Sequence, residues 1–556
     1  MKRYAIIASL LAFLTAPLAE LQAGGPKWAK NANKSLVCLY ALQMQGDTLE
    51  ANAFFTSEQG TLIAPFKTIR QAQSAWITDA QGKRYEICRI LGFNTTYNVV
   101  RLQAETGKKK TVALPLGLQA LTTGETVSLV PTLATDTILQ VEKAGNHAYY
   151  TLSSTASPTL AGNPVINEEG SVIGILQTPV TAKDAPNYAL DIQFAEALSI
   201  RPIDANNPEL RLCGIPKQLP AEESQAVSFL YLAAASGNPL SSLYADDFIT
   251  AFPKSATGYI QKAEQQAAAK EYEATDRTYE EGLKQVPDHA DELLHSRSKV
   301  VYQTMLRKQK DIPETWTLER ALTDITAALS ISPLPLYTLH EGNVLFALKR
   351  YDEAYQRFMA VTQTKMRTAE LFLYAWQCKA NTDAPKEELL ALNDSAVACF
   401  TKPYSTAAAP YLLLRSNTLT EMGRLREAIT DLNDYEHLMQ GQLTSQFYYQ
   451  REQLEVKTRM YGQAVNDIYK AISLDEEEPL FHAELAVLLY RLNDVDNAIV
   501  QCRKAIELDA GFPDAHRLLG ICLRDKGDKE GARQSLNKAI ELGDELAKGI
   551  LEKMEN

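Results

Sequence analysis

The sequence has few cysteines, and none of them forms a close pair. Seven cysteines are spread over 556 residues, so at least one thiol has no partner within the chain. Zinc sites and redox-active dithiols bring cysteines within a few positions of each other, and that spacing is absent here. We therefore expect no metal ion and no cofactor. Cys502 and Cys522 lie on neighbouring predicted helices and are the pair that an oxidising compartment could join.

The sequence also lacks an excess of positive charge. Its 56 lysines and arginines are outnumbered by 68 aspartates and glutamates, which gives a formal charge of -12. A surface that binds nucleic acid is basic because it neutralises phosphates, so we do not expect nucleic acid as a partner. Residues 24–215 hold 16 basic and 16 acidic residues. The negative charge therefore belongs to the rest of the chain.

Long apolar runs are missing after the first residues. Lys2 and Arg3 precede an apolar run at 5–18, and Leu21 to Ala23 forms an acceptable cleavage site. This pattern is typical of a secretory signal peptide, whereas a membrane-spanning helix needs about 20 apolar residues. We expect residues 1–23 to be a signal peptide and the mature chain to have no transmembrane segment. The protein would then be periplasmic, associated with the cell envelope, or secreted.

Residues 33–203 consist of short β-rich runs. The runs are separated at short intervals by turn residues, a rhythm that is typical of an all-β barrel or sandwich. The predicted strands lie at 34–42, at 53–64 on both sides of a turn at Gly60, and at 74–78, 84–90, 99–103, 126–130, 138–141, 148–152 and 187–192.

One further hairpin indicates the kind of β domain. The segment from Ser157 to Ile175 reads Ser-Pro-Thr-Leu-Ala-Gly-Asn-Pro-Val-Ile-Asn-Glu-Glu-Gly-Ser-Val-Ile-Gly-Ile. It resembles the nucleophile loop of trypsin-like serine peptidases, especially the bacterial high-temperature-requirement type. The resemblance covers residues 34–203 and implies the double barrel of that fold. Ala161 stands where the family has its serine, and alanine has no oxygen that can attack a carbonyl.

The same resemblance places the other two triad positions, and both are replaced. Gly60 to Ile69 fills the segment that carries the general base, which falls on Lys67, or on Phe66 if the alignment slips by one residue. Tyr97 to Leu102 fills the strand that the family opens with aspartate, and Asn98 takes that position. The resemblance therefore implies a β domain without Ser-His-Asp catalysis, a pseudopeptidase.

Two further observations bear on catalysis. The family has glycine two residues before the nucleophile, where a backbone amide turns toward the developing charge, and here that position is Thr159. His147 is the only histidine among the first 215 residues, and it precedes the Ala161 loop. The alternative that keeps peptidase chemistry is a Ser–Lys pair of Lys67 with Ser157 or Ser171, although neither serine lies at the apex of the loop.

The composition changes after the β domain. Prolines and asparagines at 201–224 break both helix and strand patterns and predict a linker. We assign residues 204–254 to this linker and the first helices. Residues 255–556 are then a repetitive helical region.

The helical region repeats with a period of 34 residues. The spacing resembles that of tetratricopeptide repeats, in which small residues allow the two helices of a hairpin to approach closely. We expect roughly eight such repeats in residues 255–556, stacked into an all-α solenoid. The alanine pairs that define the period are Ala464 and Ala471, Ala498 and Ala505, and Ala532 and Ala539.

In tetratricopeptide proteins the first helix of each repeat lines a groove that binds extended peptides. An asparagine at the ninth position often bonds the peptide backbone, and two candidates fall there. The acidic excess is either a solvated outer face or part of a groove that selects basic segments. The candidates for peptide contacts are Asn343, Asn417, Tyr449, Tyr490, Arg491, Arg517 and Arg524.

Together these patterns predict a multidomain protein, an all-β double-barrel domain followed by an all-α tetratricopeptide solenoid. The expected function is protein–protein interaction in the cell envelope, as a scaffold or adaptor. Two alternatives remain: a peptidase with unrecognised chemistry, and a regulator that binds a true peptidase. The sequence makes no prediction of the oligomeric state.

Overall fold

The computed structural model describes residues 26–144, 147–177, 185–308 and 311–555. The predicted signal peptide, 1–23, lies outside the described residues. Contacts divide the chain into two compact units, residues 1–296 and 297–556, and each is described by itself. Over the described ranges, no helix combines the length and apolar character needed to cross a membrane.

The first six strands form a closed antiparallel barrel with the order β1-β2-β3-β6-β5-β4. Alternate residues of each strand face the interior, as Val37, Leu39 and Ala41 do in the first strand. The strands are β1 (Leu36–Gln43), β2 (Thr48–Phe55), β3 (Thr61–Ala64), β4 (Ala72–Asp79), β5 (Arg84–Asn94) and β6 (Val99–Ala104).

The next six strands form a second closed barrel with the same topology, β7-β8-β9-β12-β11-β10. Two barrels of one topology in sequence confirm the predicted double-barrel, trypsin-like fold. The strands are β7 (Thr126–Leu129), β8 (Ala134–Ala144), β9 (His147–Thr155), β10 (Pro164–Asn167), β11 (Val172–Gln177) and β12 (Pro186–Asp191).

Two short helices flank the barrels, α1 (Ala29–Ser35) before β1 and α2 (Ile192–Ala197) after β12. The Asp191 side chain accepts a hydrogen bond from the Gln193 amide and caps α2. The guanidinium of Arg101 on β6 lies 3.2 Å from the Glu196 carboxylate on α2. Helix α2 therefore connects the second barrel to the first.

The segment predicted as a linker is packed against the first barrel. Leu210, Cys213 and Ile215 are buried in the same apolar core as the barrel strands. The Ile90 N–H donates to the Pro216 carbonyl at 2.8 Å, and the Gly214 N–H donates to the Ala72 carbonyl at 2.9 Å. The prolines prevent a regular strand, but the apolar residues between them still reach the core.

A lysine is buried within this segment. The Lys217 side chain is 1% exposed, and its Nζ donates to the Leu210 carbonyl at 3.4 Å. Burial lowers the pKa of Lys217, because an ammonium group loses its hydration there. The Tyr244 hydroxyl accepts from the Lys217 amide at 3.2 Å, so the following helices close over this segment.

The first unit continues with helices. α3 (Glu223–Ala235) and α4 (Ser241–Ala251) bury Phe229, Tyr244 and Phe248 in the core of the first barrel. An ion pair of 2.8 Å between Arg89 on β5 and Asp247 on α4 adds to this contact. The helices that follow are α5 (Thr257–Ala268), α6 (Tyr272–Gln285) and α7 (Ala290–Leu306), and the division into two units falls within α7.

The second unit is a helical array in which consecutive helices pack in pairs. The predicted solenoid is confirmed in this unit. Its helices are α8 (Leu318–Ile331), α9 (Pro335–Ala347), α10 (Tyr351–Thr362), α11 (Ala369–Ala380), α12 (Lys386–Val397), α13 (Ala409–Glu421), α14 (Leu425–Leu438), α15 (Ser445–Lys457), α16 (Tyr461–Leu474), α17 (Pro479–Arg491), α18 (Val495–Leu508), α19 (Pro513–Asp525), α20 (Lys529–Glu541) and α21 (Glu545–Glu555).

Small residues stand where the paired helices cross. A Cβ added to Gly520 on α19 would lie 2.7 Å from the Leu536 side chain on α20, and one added to Gly342 would lie 2.8 Å from Phe358. Larger side chains would separate the helices at these positions. The alanines that define the 34-residue period are likewise fully buried: Ala464, Ala471, Ala498, Ala505, Ala532 and Ala539.

We predict that Gly214→Ala loosens the packed segment at 200–219. The new Cβ would lie 2.3 Å from the Gln73 carbonyl oxygen, so the segment or β4 must shift. Overpacking of this kind costs about 1–3 kcal/mol. Limited trypsin digestion should therefore cut after Arg211 about tenfold faster or more than in the unchanged protein. Gly462→Ala, which places its Cβ in open space, is the control. Equal cleavage rates for all three proteins would contradict the prediction.

Candidate functional site

The structure brings the first two predicted triad positions together. Lys67 lies in a 3-10 turn, Phe66–Thr68, directly after β3. Asn98 precedes β6 and has a left-handed backbone, with φ of +48°. Its Oδ1 accepts from the Lys67 amide at 2.9 Å, and its carbonyl accepts from the Phe66 amide at 3.2 Å. These bonds fix both backbones, while the Lys67 ammonium extends into solvent.

The loop that carries Ala161 lies against the first barrel. The Asn52 side chain on β2 donates to the Thr159 carbonyl at 2.8 Å and to the Ala161 carbonyl at 3.0 Å. A Cβ at Gly162 would lie 2.4 Å from the Asn52 carbonyl oxygen and 3.1 Å from the Pro65 ring. Since Pro65 immediately precedes the Lys67 turn, all three predicted positions meet at the junction of the two barrels.

The amides of this loop bond within the protein. Residues Pro158–Leu160 form a 3-10 turn, and the Ala161 N–H points to the Pro158 carbonyl at 3.4 Å. The Gly162 N–H donates to the Leu176 carbonyl at 2.8 Å. Gly162 has φ of +86°, whereas Thr159 is not among the described residues with positive φ. An oxyanion site needs preorganised amides aimed at one free position, and the Ala161 amide is directed elsewhere.

The hydroxyl groups and the histidine near the loop have separate neighbours. The Ser157 and Thr159 hydroxyls lie 2.9 Å from each other. Ser171 lies at the turn after β10, at the opposite end of that strand from Ala161. His147 is the first residue of β9. Its ring packs edge-on against that of Phe194, with 4.8 Å between the ring centroids. His147 therefore belongs to an aromatic group.

Sequence reasoning missed this aromatic group. A cavity of about 30 Å³ lies at its centre, and Tyr97, the residue before Asn98, is part of the wall. Burial raises the pKa of Tyr149, which also lines it, to about 12. Only the position of Tyr97 beside a predicted site residue could have indicated the cavity from the sequence. It is lined by Tyr97, His147, Ala148, Tyr149, Leu190 and Phe194.

In the helical array, every predicted peptide-contact residue lies on the first helix of a hairpin. Asn343 on α9 is half-buried and Asn417 on α13 is exposed. Among the residues that the structure describes, neither amide side chain has a hydrogen-bond partner.

The tyrosine and arginine candidates are engaged within the array. The Tyr490 hydroxyl donates to Asp525 at 2.7 Å, and Arg524 pairs with the same carboxylate at 2.8 Å. These contacts, the Tyr490 hydrogen bond first, lower the pKa of Asp525. Arg517 pairs with Asp514 and Asp544.

The remaining two candidates are also in contact with neighbouring side chains. Arg491 reaches the Tyr461 hydroxyl at 3.5 Å. The Tyr449 ring packs 5.5 Å from that of Phe481. A ligand would therefore compete with internal partners for each of these tyrosines and arginines.

A second set of charged residues, not found from the sequence, lies inside the hairpins. Arg451 on α15 pairs with Asp467 on α16 at 2.6 Å, and both are almost completely buried. Arg415 and Asp431 form the equivalent pair at 2.7 Å in the preceding hairpin, which consists of α13 and α14. In the sequence, these pairs could have been found as opposite charges at the seventh position of the two helices of a hairpin. Glu341 and Arg357 occupy these positions with the charges exchanged, at 2.6 Å.

One hairpin buries acidic groups that these pairs do not neutralise. Glu452 holds the eighth position of α15, where α9 and α19 have glycine, and is fully buried with one carboxylate oxygen unbonded. Burial and then Glu484 raise the pKa of Glu452 to about 7. Burial and then Asp467 raise the pKa of Glu455 to about 8.

The last part of the helical array matches a known protein family. A family model, described as tetratricopeptide repeat, matches residues 481–512 and 514–542. These two segments are tetratricopeptide repeats. They correspond to α17 with α18 and to α19 with α20. A search of curated protein sequences found no match.

Solved structures resemble parts of the chain. A crystal structure of YrrB, a TPR protein with an unusual peptide-binding site, is 20% identical over 35% of this chain and 97% of that chain, with a TM-score of 0.30. A structure of the HtrA-type protease AlgW with a tripeptide is 16% identical over 31% of this chain, with a TM-score of 0.27. The match spans 62% of that protease chain.

We predict that Glu452→Gln removes part of a pH dependence of stability. The unfolded carboxyl loses its proton near its ordinary pKa of 4.5, whereas the folded one keeps it to about 7. Raising the pH between these values therefore lowers the free energy of unfolding. Above about pH 7 this decrease in stability is complete. Glutamine does not ionise, so the variant should be more stable at pH 8 by about 1–3 kcal/mol and nearly unchanged at pH 4.

The measurement is chemical unfolding of both proteins at a series of pH values, followed by helical circular dichroism. Glu353→Gln is the matched control, because Glu353 is exposed and its Arg350 partner lowers its pKa. That control should not gain stability at pH 8. A constant difference between the Glu452 variant and the unchanged protein at all pH values would contradict the prediction.

Proposed function

We propose that the chain is an exported protein-interaction scaffold. In this proposal a catalytically inactive trypsin-like domain precedes a tetratricopeptide array that binds extended segments of other proteins. The periplasm or cell envelope is the proposed location, on the basis of residues 1–23 alone. The alternative is a peptidase, or a regulator of one, in which the β domain keeps an unrecognised chemistry.

The proposal that the β domain is inactive rests on one observation, Ala161 at the junction of the barrels. Acyl transfer needs a nucleophilic oxygen or sulfur next to a base, and a methyl group supplies neither. Lys67 and Asn98 meet at the same junction, but through the Lys67 backbone amide and the Asn98 side chain. The Lys67 ammonium is left to the solvent, which supports a role in contacts rather than in proton transfer.

The array supplies the binding part of the proposal. Residues 481–512 and 514–542 match a repeat family whose first helices line a groove. Asn343 and Asn417 lie on first helices, and each amide offers one acceptor and two donors to a peptide backbone. Backbone recognition by such groups suits extended segments of varied sequence, because the peptide bond is common to all of them.

We predict that restoring the triad does not restore hydrolysis. The variant combines Lys67→His, Asn98→Asp and Ala161→Ser. The Ala161 amide still points to the Pro158 carbonyl, and the loss of one oxyanion donor costs about 10²–10³ in rate. Turnover of a broad set of fluorogenic peptides should therefore stay at background, and adding Thr159→Gly and Asn163→Gly should raise it more than any further triad change.

The unchanged protein is the control, together with a fluorophosphonate probe that labels activated serines. Probe labelling of any serine within 34–203 in the unchanged protein would overturn the proposal that the domain is inactive. Efficient hydrolysis by the triple variant would show instead that the loop is already arranged for catalysis. A peptide-binding site in the β domain would then be the better proposal.

We predict that the asparagines of the first helices bind peptide backbones. Peptides selected from a random library on the mature chain should lose about tenfold in affinity for the Asn417→Ala variant, because one or two hydrogen bonds are worth about 1–2 kcal/mol. Asn537→Ala is the matched control, an exposed asparagine on the second helix α20. Fluorescence polarisation gives the dissociation constants. Equal affinities for both variants would exclude the proposed groove.

A further inference from the structure

Two buried thiols lie in one apolar cluster between the last pair of tetratricopeptide repeats. Cys502 lies on α18 and Cys522 on α19, and both are 0% exposed. They share one apolar cluster with Leu518 and Leu519. Cys502 belongs to the repeat at 481–512 and Cys522 to the repeat at 514–542. The two thiols therefore belong to adjacent repeats rather than to the two helices of one hairpin.

The neighbouring Cys522 thiol, and then burial, raise the pKa of Cys502. Cys88, Cys213 and Cys399 donate to backbone carbonyl oxygens, of Gln103, Ile69 and Ser395 respectively. All seven cysteines are in the thiol form. Because both thiols are buried in one apolar cluster on consecutive helices, a small adjustment of α18 and α19 could bring them to the geometry of a disulfide.

We propose that Cys502 and Cys522 form a disulfide that links the last two tetratricopeptide repeats. The oxidant is a low-molecular-weight or protein disulfide. One cysteine thiolate attacks a sulfur of that disulfide, forms a mixed disulfide and releases the first reduced thiol. The other cysteine thiolate then attacks the cysteine sulfur of the mixed disulfide and releases the second. Both protein thiols are oxidised and the disulfide is reduced to two thiols.

The position of the link matches the weakest part of a solenoid. Each repeat of such an array contacts only its neighbours, and the terminal ones open most readily. A covalent link between adjacent repeats restricts the unfolded chain and favours the closed array. Because both thiols are fully buried, exchange takes place during folding or when the last repeats open.

The experiment is refolding of the reduced full chain in a mixture of reduced and oxidised glutathione, followed by alkylation and tryptic digestion. Trypsin places the two cysteines on separate peptides, residues 492–503 and 518–524. We expect these peptides to be joined, with a mass lower than their sum by two hydrogen atoms. Alkylation of both cysteines in the refolded protein, or their pairing with other cysteines, would overturn the proposal.

Two variants complete the test. Cys378→Ala removes another buried thiol and should keep the joined peptide. Cys502→Ala should leave Cys522 alkylated. Thermal unfolding of the unchanged protein should move several degrees higher on oxidation, and Cys502→Ala should not respond. An oxidised protein that carries the link but unfolds at the same or a lower temperature would overturn the stabilising role. The peptide map of the unchanged protein decides the link even if a variant fails to fold.

Discussion

The β domain depends on one close contact between backbones. Gly162 lies so near the Asn52 carbonyl oxygen that any Cβ would be 2.4 Å from it. This contact, with two hydrogen bonds from the Asn52 side chain, holds the loop of the second barrel against the first. The residues on either side of Gly162 therefore have a fixed position relative to Lys67 and Asn98. The three positions that the sequence predicts for a triad are therefore held close together, and lysine, asparagine and alanine occupy them.

The helical array follows the same physical rule at many points. Paired helices approach closely only where one of them presents a small residue, as at Gly342 and Gly520. At the adjacent seventh position of the helices, buried ion pairs such as Arg451 with Asp467 add specificity to the pairing. A buried pair of this kind is costly to desolvate, so its clearest effect is on which helices pair rather than on total stability. Glu452 breaks the rule by placing an acid at a small-residue position.

Much of the architecture could be predicted from local patterns. The two β-rich halves and the 34-residue period follow from side-chain alternation and from small residues at regular intervals, which depend on secondary structure alone. The segment at 201–220 shows where such patterns fail. Its prolines predicted a linker, but burial is decided by what faces a segment, and Leu210, Cys213 and Ile215 face the first barrel. The candidate asparagines were assigned to first helices, and both lie there.

The sequence by itself determined which chemical groups the protein has: an alanine at 161, no histidine at 67, and cysteines at 502 and 522. Tertiary structure alone decided which groups meet. The cavity beside Tyr97, the charged pairs inside hairpins and the apolar cluster that holds two buried thiols all join residues on different strands or helices. Their distances depend on how these elements pack, and that packing is a property of the whole core rather than of any local pattern.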